Sequence, residues 1–124
     1  MKNIIESKRT VDMLITWSHE VMPNWHTEKE MAANDDEDYA VKLSVSIDND
    51  SVTTYRPSSV MFSHNKYLGY FMDIDNFTFE FGDDAEIFVS EAKKYMSALY
   101  AGKLRIVEKK FLGLIRRTDI EITE

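Results

Sequence analysis

Tyr39-Ala40-Val41-Lys42-Leu43-Ser44-Val45-Ser46-Ile47 is the stretch on which the fold turns. Tyr39, Val41, Leu43, Val45 and Ile47 fall on one side of an extended chain, and Ala40, Lys42, Ser44 and Ser46 on the other. A period of two with one apolar face marks a half-buried antiparallel strand. Asp48-Asn49-Asp50 follows it, and Asn and Asp tolerate the backbone conformations of tight turns. Residues 51–56 are β-branched and aromatic and are expected to return as the hairpin partner, with Pro57 stopping them or placing them at an edge.

Further along, 60–62 suggests a short strand or bend, and His64-Asn65-Lys66 a turn. Residues 67–74 read as a strand with Leu68, Tyr70, Met72 and Ile74 on one face. Asp75-Asn76 turns the chain. Phe77, Phe79 and Phe81 then alternate with Thr78 and Glu80, a strand with an aromatic inner face. Asp83 and Glu86 have the spacing of a capping box, and Phe88, Ala92, Tyr95 and Leu99, with Ile87 and Met96, form a helical stripe that ends at Gly102. Residues 103–110 and 114–122 read as two more strands, with Gly113 near the reversal.

Upstream of the key stretch, Asn34-Asp35-Asp36-Glu37-Asp38 carries four successive acids, which repel one another and belong in an exposed loop. A short helix over 28–33, capped by Thr27, is expected before it. The amino-terminal segment has Ile4, Val11, Leu14, Ile15, Ser18 and Met22 at helical spacing, and Pro23 ends that helix. Of Trp17 and Trp25, which flank this stripe, one is expected to dock the helix on the sheet.

These elements define an α+β fold of two layers: a mainly antiparallel sheet of five to seven strands, with the amino-terminal helix and a second helix at about 84–101 on one face. With 124 residues, two prolines and no linker, the chain reads as a single domain over 1–124. Met1 to Glu6 lacks the apolar run of a signal peptide, and no stretch is long enough to span a bilayer, so the expected compartment is the cytoplasm.

The sequence contains no cysteine, which excludes disulfides, thiolate metal sites and cysteine nucleophiles. No metal and no cofactor is expected. His19 and Glu20 lack the second histidine of a zincin helix, and His26 lies beyond Pro23. Ser63-His64 has no nucleophile elbow around it. Asp48-Asn49-Asp50 has neither the glycine nor the distal glutamate of a calcium loop. Gly69, Gly82, Gly102 and Gly113 are isolated, so no phosphate cradle is present.

Charge is the sharpest remaining feature. The formal net charge is −7, divided into −9 over residues 1–102, +5 over 103–117 and −3 over 118–124. Such a surface repels nucleic acid and anionic membrane at long range and attracts a basic protein. Lys103, Arg105, Lys109, Lys110, Arg116 and Arg117 are expected to guard an edge strand or to pair with acids of the same chain or of a second copy.

The leading expectation is therefore a non-enzymatic, acidic protein-binding module. Inhibitors and bacterial immunity-type proteins that mask a basic partner such as a nuclease toxin have this character. Its expected contact residues are Asp35, Asp36, Glu37, Asp38, Asp73, Asp75, Asp83 and Asp84. The alternative is a small enzyme or ligand-binding protein with a pocket on the aromatic sheet face and His19, His64 or Asp73 at its mouth. A homodimer joined through an edge strand is a third reading.

Overall fold

The computed structural model describes residues 4–22, 25–34, 36–47, 59–74, 77–111 and 114–122. The element order is α1 (Ile4–Val21), β1 (Trp25–Met31), β2 (Tyr39–Ile47), β3 (Ser59–Asn65), β4 (Gly69–Ile74), β5 (Phe77–Gly82), α2 (Ala85–Tyr100), β6 (Leu104–Phe111) and β7 (Leu114–Ile122). The first five strands form an antiparallel sheet in sequence order, and β6 and β7 form a separate two-stranded antiparallel ribbon. The α+β class, the antiparallel sheet and the two helices packed on it agree with the sequence reading.

The alternation in β2 holds over Val41, Leu43 and Val45, but a register shift between Tyr39 and Val41 breaks it at the start, so Ala40 is buried and Tyr39 turns to the outer face instead of the apolar one. Val41, Leu43 and Val45 are fully buried, facing His64, Phe62 and Val60 of β3. Phe62 in turn faces Met72 of β4, and Met72 faces Phe79 of β5. The two helices close over this face with Val11 and Leu14 from α1, Met22 just beyond it, and Phe88, Ala92, Met96 and Leu99 from α2. Trp25, in β1, is buried and meets α2 and not α1, edge-on to Tyr100 with ring centroids 5.9 Å apart, while Trp17 of α1 packs partly buried against the core. The ribbon joins the same core through Leu104, with Ile120 packed against it.

Three expectations need correction. Residues 28–33 form no helix: Thr27–Met31 belong to β1, because pairing with β2 in full register satisfies the backbone where an isolated turn of helix would not. The strand also gains side-chain ties to α1, from Lys29 to Asp12 at 2.8 Å and between Thr27 and His19 at 3.0 Å. Second, β3 runs through His64 and Asn65, and the turn falls at 66–68, where the Asn65 side-chain carbonyl accepts from the backbone N–H groups of Tyr67 and Leu68. Leu68 is therefore exposed in a turn and not on the inner face of β4. Third, the cap of α2 is Asp84 and not Asp83. The Asp84 carboxylate accepts from the backbone N–H groups of Glu86 and Ile87 at 2.9 and 3.2 Å. The expected partner strand at 51–56 and the turns at 48–50, 75–76 and around Gly113 lie outside the described residues.

The other end of α2 is closed by Gly102 in the left-handed region, φ 71°. The N–H of Gly102 bonds to the Leu99 carbonyl and that of Lys103 to the Ala98 carbonyl, a Schellman arrangement. At the start of the helix, Asp84→Ala is expected to cost about 1 kcal/mol and Asp84→Asn much less, because Asn keeps an accepting oxygen. Urea unfolding of the two variants checks this.

Among the described residues no helix is long and apolar enough to cross a membrane.

Candidate functional site

The strand register decides which connections share an end of the sheet. Met31 lies opposite Val41, Tyr39 opposite Asn65, Asn65 opposite Gly69, and Tyr70 opposite Gly82. The loop between β1 and β2, the turn between β3 and β4, and the step from β5 into α2 therefore all emerge at one end. Asp36, Glu37 and Asp38 come from the first connection, and Asp83 and Asp84 from the third. With neighbouring strands about 4.8 Å apart, the two acidic groups lie roughly 15 Å from each other across the sheet. Asp73 is not with them. It lies farther along the outer face, opposite Met61 and Thr78, where its carboxylate accepts from the Thr78 hydroxyl at 2.5 Å. Asp35 and Asp75 lie outside the described residues.

Both helices also begin at this end. α2 starts two residues after β5, and its last residue, Tyr100, reaches Trp25 at the far end. α1 runs beside it in the same direction: Thr10 and Met13 line a groove with Ala85, Glu86 and Val89, and the Lys93 ammonium lies 5.3 Å from the centre of the Trp17 ring. Two helix amino-termini, each carrying about half a positive charge, thus point towards Glu6, Asp83, Asp84 and Glu86. That field offsets part of the repulsion among the acids.

The acidic loop is held from beneath. Lys66, only 3% exposed, donates its backbone N–H to the Asp38 carbonyl at 2.8 Å and its ammonium to the Asn34 carbonyl at 3.3 Å. The backbone N–H of Asp36 bonds to the Asn34 side chain at 2.9 Å. Asp36 and Asp38 remain exposed and Glu37 half-exposed.

Beside the loop the outer face of the sheet opens into a concavity of about 460 Å³. Phe71 and Leu68 give it apolar surface, Ser63, Asn65 and Tyr39 polar surface, and Glu37 and Asp38 an acidic rim. Its one lysine, Lys42, rests 4.0 Å from the centre of the Tyr39 ring. The Tyr39 hydroxyl donates to Glu30 at 2.6 Å, and that hydrogen bond pushes the phenol up to about 12, so it stays a donor at any ordinary pH. The sequence reading named the acids and missed this floor. Lys42 and Ser63 sit at the solvent-side positions of their strands, but only the cross-strand register shows that they adjoin.

Among the described residues Phe88 packs on the aromatic inner face: its ring stacks on Tyr70 at 4.2 Å and meets Phe62 and Phe81 at 5.9 and 6.0 Å. The three side chains placed at the pocket mouth are apart. His19 is exposed near the end of α1, Asp73 is on the outer face, and His64 is a core residue, 1% exposed and edge-on to Tyr70 at 4.8 Å. Burial pushes the Tyr70 phenol above its usual value; Thr10 draws it partly back without closing a hydrogen bond of good geometry. Among the described residues no three His, Asp or Glu side chains are grouped to hold a metal ion.

No protein-family model, curated protein or solved structure matches this chain.

Proposed function

We propose that the chain is a cytoplasmic, non-enzymatic binding module that masks a basic protein, in the manner of an inhibitor or bacterial immunity-type protein acting on a nuclease toxin. The observation that carries this reading is the rim of Glu37 and Asp38, beside exposed Asp36, on a concavity whose apolar floor is Phe71 and Leu68. Acids on a rim steer a basic partner and set its orientation, whereas an apolar floor supplies burial for an anchoring side chain. Asp83 and Asp84 at the same end extend the negative field, although Asp84 also serves its helix. Asp73 extends that field along the outer face.

The test is capture from the native cell, followed by binding kinetics of the captured protein. The partner is expected to be basic, with an on-rate that falls steeply as salt rises. The triple variant Asp36→Lys, Glu37→Lys, Asp38→Lys is expected to slow association at low salt at least tenfold. Unchanged association by that variant would remove this end of the sheet from the interface.

A further inference from the structure

We infer that β5 is a self-pairing edge, through which two copies of the chain join their sheets about a two-fold axis at Phe79. This does not depend on the proposed binding of a basic partner, which uses the outer face.

The sheet has two edges, and they differ in kind. β1 carries Glu28, Lys29 and Glu30 within seven residues, the usual guard against pairing. β5, Phe-Thr-Phe-Glu-Phe-Gly, carries one charge and neither lysine nor proline. Phe, Thr and Phe again are residues that favour a pleated surface. Among the described residues no strand bonds to its outer row of N–H and C=O groups. Phe77, Phe79 and Phe81 are only half-buried, although Phe79 and Phe81 pack against the core. Above them Ile87, on the flank of α2 turned away from α1, leaves 52% of its surface to solvent.

The occupant that fits is the same strand. Antiparallel pairing centred on Phe79 sets Phe77 against Phe81 of the partner subunit twice and Phe79 against its own copy, all on the core side. On the outer side each Glu80 meets Thr78 of the partner subunit, so within the six residues of β5 no like charges face each other and aromatic pairs do. A six-residue strand is about 20 Å long, and the two-layer edge is of similar depth, so each copy buries roughly 400 Å². The total of about 800 Å² is below the usual size of a specific interface and predicts a weak, reversible dimer. The guarded β1 edge stops further growth. Each copy carries −7, so salt screens repulsion and tightens this dimer, whereas it loosens any association of acidic with basic surfaces.

Sedimentation of the full chain at about 0.05 M and about 0.5 M sodium chloride tests this, with a dimer whose association constant rises at least about threefold at the higher salt. The absence of cysteine allows a second test with Thr78→Cys and Glu80→Cys, both on the exposed side of β5. Facing positions bring their Cβ atoms within about 5 Å, so oxidising the two variants as a mixture is expected to give at least fivefold more covalent dimer than either alone. A monomer at about 200 µM in both salts, a dimer that weakens with salt, open-ended assembly, or equal cross-linking in all three samples would each overturn the inference.

Discussion

Replacing Phe88 with alanine is expected to remove about 4 kcal/mol of stability. Phe88 is fully buried in the first turn of α2 and touches rings on three strands, Phe62 of β3, Tyr70 of β4 and Phe81 of β5. Truncation loses the transfer energy of the ring and leaves a cavity that three hydrogen-bonded strands cannot collapse into. Domains of this size have about 5–15 kcal/mol in total, so the variant stands near the edge of folding. Urea unfolding should show a much lower midpoint with an unchanged slope. A loss below about 1.5 kcal/mol would mean that the helix is held on the sheet chiefly by other contacts.

Gly69→Ala is expected to cost at least about 3 kcal/mol, from backbone alone. Gly69 opens β4 with φ 102°, a conformation that L side chains rarely adopt, and it is buried. A Cβ atom there would overlap the carbonyl oxygen of Gly82 and press on the backbone nitrogen of Asp83. Neither is the movable end of a side chain, so β4 and β5 must separate at the end where α2 begins. Gly82 is the control. It also has a positive φ, 71°, but open space where its Cβ would go, so Gly82→Ala is expected to cost only about 1 kcal/mol. Thermal unfolding of both variants checks the difference. Equal losses would show that the torsion, and not the close approach, sets the requirement.

The elements that the sequence declared are those whose local preference and tertiary role agree. β5 alternates throughout and β2 from Val41 to Val45, and the stripe of α2 is readable at Phe88, Ala92, Met96 and Leu99, whereas Ile87, read with that stripe, is exposed. β1 was misread because Glu28, Lys29, Glu30 and Met31 are good helix formers. Its strand state comes from β2 on one side and from polar contacts to α1, and neither leaves an apolar alternation. The buried face of α1 includes Ser18, as read, but also Ser7 and Thr10, which the reading left off it. The Ser7 and Ser18 hydroxyls each bond to a carbonyl of their own helix, at Ile4 and Ile15, so in packing they act as small apolar groups. His64 beside Asn65 and Lys66 resembled a turn, and one residue of phase put it in the core instead. The acids of the candidate site were visible as a run. Their gathering with the α2 start, and the floor beside them, depend on register between strands that no local pattern carries.

The order of the five-stranded sheet has a kinetic consequence. Every strand bonds to its neighbour in the chain, so the sheet can grow one hairpin at a time, and each closure costs little loop entropy. The contact between α1 and α2 is of another kind, because all five strands lie between those helices in the chain. Its loop is long, as is the one closed between Trp25 and Tyr100. The amino-terminal helix thus meets β1 and β2, its neighbours in the chain, without that closure, and its seam with α2 is the part of its docking that waits for the later half of the chain.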